Sequence, residues 1–142
     1  MAQPTMTRTV GVLHHEAVSS PAYQAYRILQ AGFVIAPVVA GFDKFFHILV
    51  NWDQYLAPSI ARLSAIPGHT LILVVGFIEI VAGLLVALRP RIGAYLVSAW
   101  LLGIVVNLLL IPGFFDIALR DFGLSIGAFA LGRLSQEFDV KQ

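Results

Sequence analysis

The stretch GFDKFFHILV, at residues 41–50, places three side chains capable of chemistry at the end of a long apolar segment. Asp43 and His47 are four residues apart, so a helix would put them on one face, with Lys44 beside them. A carboxylate, an ammonium group and an imidazole that lie together can exchange protons or bind a polar ligand. The pattern therefore predicts that a polar site begins here.

Glu79 is a second chemically informative residue, because it lies in the middle of the apolar run at 70–88. A run of about 20 such residues is long enough to cross a bilayer. An ionised carboxylate at that depth costs about 3 kcal/mol on insertion scales, so Glu79 must be protonated, paired with a cation or turned toward a polar cavity. Gly76 and Gly83 share its helix face, which predicts a close contact with another helix there.

The remaining candidates lie in the last two apolar segments. Asn107 can hydrogen-bond either to a neighbouring helix or to a carbonyl group of a ligand. Arg120 and Asp121 indicate either a buried ion-pair network that fixes the order of the helices or one wall of a ligand site, and both interpretations stay open. The candidate polar cluster consists of Asp43, Lys44, His47, Glu79, Asn107, Arg120 and Asp121.

The composition places this cluster in a membrane protein. The chain has 142 residues, of which 58% are hydrophobic and 12% are charged, and its mean hydropathy is +0.85. This excess of apolar surface requires lipid. A net charge of +1 argues against a nucleic-acid partner. Cysteine is absent, which excludes thiol nucleophiles, cysteine-ligated zinc and iron–sulfur clusters.

The apolar segments predict an all-α membrane protein built as a four-transmembrane-helix bundle. The segment between the first two spans carries Ile60, Leu63 and Ile66 at helical spacing, which predicts a short interfacial helix there. Trp52 and Tyr55 are the predicted interfacial anchors, since such rings prefer the membrane surface. The chain is divided into a polar N-terminal arm at 1–22, a four-helix membrane domain at 23–135 and a C-terminal tail at 136–142. The predicted spans are at about 23–50, 69–88, 92–111 and 114–134.

Small residues in the first span suggest how it packs. Gly32, Ala36 and Ala40 recur every four residues, so this face is smooth enough for another helix to approach closely. We therefore expect this face to form a helix contact that continues toward Asp43.

The distribution of basic residues predicts the orientation in the membrane. With four spans, the side that holds both termini carries six basic residues and the opposite side three. By the positive-inside rule both termini face the cytoplasm, and the protein is a multi-pass protein of the cytoplasmic membrane. The six are Arg8, Arg27, Arg89, Arg91, Arg133 and Lys141; the three are Lys44, Arg62 and Arg120.

Four sequence elements together resemble the DoxX-like family of small four-helix membrane proteins. They are GFDKFF, NWDQYL, GFIEIVAGLLV and ALRDFGLSIGA, and the resemblance extends over roughly residues 26–134. It implies a four-helix bundle in the cytoplasmic membrane. Some relatives are linked to thiosulfate oxidation with quinone as the electron acceptor, and others to redox or oxidative-stress systems. The resemblance carries over no catalytic residue.

Three functions are compatible with these features, and whether the chain is an enzyme stays open. The first is an accessory or structural membrane subunit of a redox or respiratory-type complex, in contact with a quinone. The second is a quinone-interacting oxidoreductase subunit of the thiosulfate:quinone type. In it, His47 or a protonated carboxyl group would donate to one quinone carbonyl, Asn107 or Arg120 would lie at the other, and Glu79 or Asp121 would supply protons. The third, a small-solute transporter, is weakened by the lack of an obvious inverted repeat.

The expected cofactors and partners follow from the same residues. We expect no intrinsic cofactor, with quinone as the candidate ligand, and no haem, because the histidines lie at or beyond the predicted membrane edges. No metal site is expected, although one formed by Asp43, His47 and Glu79 is conceivable. His14 and His15 are adjacent and would point in different directions. The expected partners are membrane lipid and other membrane subunits or further copies of this chain.

Overall fold

The computed structural model describes residues 10–11 and 19–139 of the chain. Most of the predicted N-terminal arm and the last three residues of the predicted tail lie outside the described residues. The regular elements within the described residues are helices. They are α1 at Pro21–Phe46, a 3-10 helix at Trp52–Tyr55, α2 at Pro58–Leu63, α3 at Gly68–Leu88, α4 at Pro90–Leu109 and α5 at Phe115–Phe138.

Within the described part of the chain, three helices are long and apolar enough to cross a membrane, namely α1, α3 and α4. A chain with several such helices is a multi-pass membrane protein. Helix α5 has 24 residues, which is also sufficient length. However, Asp116, Arg120 and Asp121 lie in its first two turns, and Arg133 and Glu137 lie near its end. Because of these charged residues, α5 is not one of the three helices that are apolar enough to cross a membrane.

The first helix is bounded by clear local signals. The Ser20 hydroxyl accepts a hydrogen bond from the Tyr23 backbone N–H at 3.2 Å, and Pro21 occupies the first helical turn, as is favourable at a helix start. The helix ends because His47 adopts the left-handed conformation, with φ 54° and ψ 40°. The prediction that Asp43 and His47 share a helix face is wrong, since the helix stops between them.

The four long helices pack in the cyclic order α1, α3, α4, α5, and the most extensive contacts are those of α1 with α3 and of α4 with α5. Helices α4 and α5 are joined by Ser98 and Ser125. Each serine donates its hydroxyl to the other's backbone carbonyl, at 2.9 and 3.0 Å. The buried apolar core includes Tyr26, Val86 and Leu131. It therefore occupies the half of the bundle near the turn between α3 and α4.

The contact between α1 and α3 depends on glycine. A Cβ atom on Gly41 would lie 2.5 Å from the Gly76 carbonyl oxygen, and one on Gly83 would lie 2.9 Å from the Val34 carbonyl oxygen. The two backbones therefore approach too closely for a side chain, and the prediction of a close contact at Gly76 and Gly83 is confirmed.

The face of α1 that carries Gly32, Ala36 and Ala40 is not part of this close helix contact. A Cβ atom on Gly32 would meet nothing within 4 Å, and all three residues line a cavity. The expectation of a tight helix contact on this face is wrong. Gly41 follows Gly32 by nine residues, which is about two and a half turns, so the packed face and the cavity face lie on opposite sides of α1.

Candidate functional site

A cavity of about 1000 Å³ lies between the four long helices. Its walls are largely apolar, and the segment between α1 and α3 contributes Trp52, Tyr55, Leu56 and Ile60 to its lining. We call this segment, residues 50–60, the roof segment. The volume is at the upper end of the range for small-molecule sites, and such sites are mostly apolar with a few placed polar groups.

Five of the seven residues of the candidate polar cluster line this cavity. They come from α1, α3, α4 and α5, so the convergence of four helices that the sequence suggested is present in the fold. Asp43 and His47 are not part of the lining. The five are Lys44, Glu79, Asn107, Arg120 and Asp121.

Lys44 and Glu79 form a buried ion pair across the α1–α3 contact. The Nζ–Oε2 distance is 2.5 Å, and the two side chains are only 5% and 10% exposed. The Lys44 ammonium also lies 3.7 Å from the centroid of a Trp52 ring, which is within the range of a cation–π interaction. Each charge is therefore compensated, as a buried charge must be.

Trp100 carries a poorly satisfied polar group in the wall of the cavity. Its indole N–H lies beside the Glu79 carboxylate, within the range of a side-chain hydrogen bond. Its Nε1–H is inaccessible to solvent, however, and makes no hydrogen bond of acceptable geometry within the described part of the chain. Because a buried donor is most stable in a well-aligned hydrogen bond, a better-placed acceptor on a ligand would bind to this N–H. Trp100 is not among the candidate residues that the sequence predicted.

Arg120 and Asp121 form a second ion pair beside the first. The Arg120 Nε atom lies 3.1 Å from Asp121 Oδ1, and the two side chains are 66% and 10% exposed. The Asp121 carboxylate is close enough to Glu79 to interact with it electrostatically. Among the described residues, the Arg120 guanidinium has one N–H group engaged, that of Nε, so further donors remain for a ligand.

Asp43 has a structural task in the fold. Its carboxylate accepts hydrogen bonds from the backbone N–H groups of Ile48 and Leu49, at 2.9 and 3.0 Å, and from the Trp52 indole at 2.7 Å. The side chain therefore ties the residues after α1 to the end of that helix and holds Trp52 in the cavity lining.

Asn107 holds the other end of the roof segment. Its side-chain amide donates to the Tyr55 carbonyl oxygen at 2.6 Å, and its Oδ1 accepts from the Ala57 backbone N–H at 2.9 Å. Ala57 is fully buried, so its N–H has no water to replace the Asn107 side chain. The sequence left two roles open for Asn107, a hydrogen bond to another part of the protein or one to a ligand. This geometry matches the first.

Replacing Asn107 by leucine should loosen the roof segment. The change removes both hydrogen bonds and leaves two backbone groups unsatisfied, so we expect a loss of about 2–3 kcal/mol in the free energy of unfolding. Amide hydrogen exchange at Ala57 should become faster. Asn51 is the matched control, because its side chain accepts only from the exposed Asp53 N–H, and Asn51→Leu should cost about 1 kcal/mol or less. Unchanged exchange at Ala57 in Asn107→Leu would contradict this role.

His47 lies away from the cavity, beside the start of α3. Its ring stacks on that of His69, with a centroid distance of 5.6 Å and an interplanar angle of 22°. The left-handed conformation of His47 turns the side chain to this location, and the helical spacing in the sequence contained no sign of it.

No protein-family model matches this sequence, and neither a curated protein nor a solved structure matches it. The predicted resemblance to the DoxX-like family therefore stays a prediction.

Proposed function

We propose that this chain is a four-span protein of the cytoplasmic membrane that binds a quinone in the cavity between its helices. The observation that carries the proposal is the buried Trp100 N–H in the wall of a large apolar cavity, where Glu79 lies beside it but no hydrogen bond of good geometry forms within the described residues. A quinone has an apolar ring, carbonyl acceptors and an apolar tail. It needs a hydrogen-bond donor in an otherwise apolar space, and this is what the cavity offers.

The groups around Trp100 fit the same ligand. Arg120 has unused N–H donors that could reach a second carbonyl, and the carboxylates of Glu79 and Asp121 lie nearby as proton carriers. Ile28 on α1 and Leu124 on α5 line the cavity and are 72% and 45% exposed. Because apolar lining residues reach the outer surface, an apolar tail could pass between helices into the surrounding lipid.

The proposal includes α5 as the fourth span. Its first two turns hold Arg120 and Asp121 at the cavity, and Arg133 and Glu137 lie in the last two turns. Polar residues inside a span are tolerated where they face a cavity or each other. The excess of basic residues on the side of the termini supports a cytoplasmic location for both. The predicted DoxX-like membership points to the same membrane and the same ligand class.

Replacing Trp100 by phenylalanine should weaken quinone binding by roughly tenfold, since one hydrogen bond contributes about 1–1.5 kcal/mol. The chain has two tryptophans, and both line the cavity. Titration of the protein in lipid nanodiscs with ubiquinone or menaquinone should therefore quench the tryptophan fluorescence saturably. In the Trp100→Phe variant, Trp52 remains as the reporter.

Tyr95→Phe is the matched control, because it also removes a polar aromatic group from α4. The Tyr95 hydroxyl contacts Gln136 and is not part of the cavity lining, so this variant should bind quinone as the parent does. Quenching that is linear with quinone concentration and equal in all three proteins would show partition into lipid only, and would overturn the proposal.

An accessory subunit of a redox complex is the second candidate, and a specific observation favours it. Lys44, Glu79, Asp43 and Asn107 all find partners within the chain, so these polar groups suffice to lock the helices without any ligand. Native mass spectrometry of the protein extracted from its own membrane in mild detergent separates the two. A partner of fixed stoichiometry that contains haem, flavin or metal, with no quinone on this chain, would favour the accessory role.

A further inference from the structure

Three side chains outside the cavity meet where α1 ends and α3 begins. His47 follows α1, Asp53 belongs to the 3-10 helix, and His69 lies in the first turn of α3. One ligand atom of each lies within 4.8 Å of those of the other two. The His69 Nδ1 atom is 3.2 Å from Asp53 Oδ2. Three separate elements therefore bring two imidazoles and a carboxylate to one point.

His47 has an unused nitrogen at this point. Its Nε2 atom is inaccessible to solvent and has no hydrogen-bond partner within the described residues. A buried ring nitrogen without a partner is costly in a protein. Coordination of a metal ion would satisfy it.

We propose that His47, Asp53 and His69 bind a divalent transition-metal ion. Imidazole and carboxylate together suit Zn²⁺ and its neighbours in the first transition row, whereas Mg²⁺ and Ca²⁺ prefer oxygen ligands alone. With three protein ligands, a fourth position stays open for water.

The distances allow a single ion to reach all three side chains. A metal bonded to a ring nitrogen at about 2.1 Å lies about 3.2 Å from the ring centroid, so two rings at the tetrahedral angle have centroids about 5.2 Å apart. The observed centroid distance is 5.6 Å, so the two rings must approach each other by roughly 0.4 Å. Tetrahedral ligand atoms are about 3.3 Å apart, and those of the three residues lie within 4.8 Å of one another, so no separation has to close by more than roughly 1.5 Å. Asp53 and His69 are 42% and 58% exposed, which leaves them free to move.

The ion would join the end of α1 and the start of α3 to the 3-10 helix between them. Trp52 and Tyr55 of that helix line the cavity, so the ion would fix the roof segment from outside. This inference does not depend on the ligand proposed for the cavity.

The test uses Zn²⁺ as the probe. The chain has four histidines, and the two outside the proposed site, His14 and His15, are removed as a His14→Ala/His15→Ala double variant, which is purified without a histidine tag. After treatment with a chelator, isothermal titration in detergent should show one Zn²⁺ bound per chain and no binding of Mg²⁺. Co²⁺ should give visible absorption bands, because it would be held by direct coordination.

The ligand residues are then changed one at a time in this background. His69→Ala, Asp53→Asn and His47→Asn should each weaken Zn²⁺ binding by roughly tenfold or more, since even the loss of a supporting group around a metal has that effect. Asparagine is chosen at His47 because it tolerates the left-handed conformation. Asp116→Asn, an exposed acid elsewhere, should change nothing. Absence of saturable Zn²⁺ binding, or equal binding by the His69→Ala protein with unchanged circular dichroism, would overturn the proposal.

Discussion

Replacing Lys44 by methionine should destabilise the bundle by about 3–5 kcal/mol, because it leaves the Glu79 carboxylate buried without its cation. The Glu79 side chain is 10% exposed, so water cannot take the place of the ammonium group. The cation–π contact with Trp52 is lost as well. Equilibrium unfolding in mixed micelles of mild detergent and dodecyl sulfate, followed by circular dichroism, measures the change in the free energy of unfolding.

The double variant Lys44→Met/Glu79→Leu distinguishes a true pair from two independent losses. Replacing both members by apolar residues removes the uncompensated charge, and such replacements are often neutral or stabilising. The double variant should therefore be more stable than either single variant, with a coupling of about 1–3 kcal/mol in the mutant cycle. Additive losses would contradict the pairing.

Arg120→Met provides the contrast for this prediction. It also breaks an ion pair in the cavity wall, but the Arg120 side chain is 66% exposed, and exposed pairs contribute about 0–1 kcal/mol. A loss as large as that of Lys44→Met would mean that burial does not determine the cost of breaking an ion pair in this bundle.

The predicted helices came from hydropathy and turn residues, and their positions were close to those in the structure. The predicted spans at 69–88 and 92–111 correspond to α3 at Gly68–Leu88 and α4 at Pro90–Leu109. Long apolar runs bounded by Pro and Gly leave a chain few alternatives. The end of α1 was harder to place, because the helix is stopped by a left-handed histidine and by side-chain bonds of Asp43 to later amides. Both the left-handed conformation of His47 and the hydrogen bonds of Asp43 depend on the tertiary position of the roof segment.

The polar cluster was predictable only as a set of residues at similar depth. That Lys44, and not Arg120, pairs with Glu79 follows from the rotation of α1 and α3 about the contact at Gly41 and Gly76, which residue spacing cannot supply. For the same reason the poorly satisfied Trp100 N–H was missed.

The histidine–aspartate group was missed for a different reason. Its ligands come from three elements and are separated by 6 and 16 residues, unlike the short spacings of a metal motif on one helix. The usable sign was that His47 and His69 flank the same connection, so that an antiparallel pair of helices must bring its two ends together.

The close approach of α1 and α3 yields the second large effect, at Gly41. Gly41→Ala should destabilise the protein by about 1–3 kcal/mol or more, the cost of overpacking, because the new methyl group would meet backbone that cannot move independently of its helix. The Cβ atom would lie 2.5 Å from the Gly76 carbonyl oxygen. Separating the helices to admit it would also lengthen the Lys44–Glu79 pair one turn away.

Gly32→Ala, on the same helix, should have the opposite sign. Its Cβ atom would meet nothing within 4 Å, so the substitution relieves the entropic cost of a helical glycine and should stabilise the protein by about 0.5–1 kcal/mol. The same unfolding titration in the absence of ligand compares the two variants. Since both replace glycine by alanine inside α1, helix propensity cancels, and the difference between them reports the helix contact alone. Equal effects would mean that α1 and α3 do not approach at Gly41.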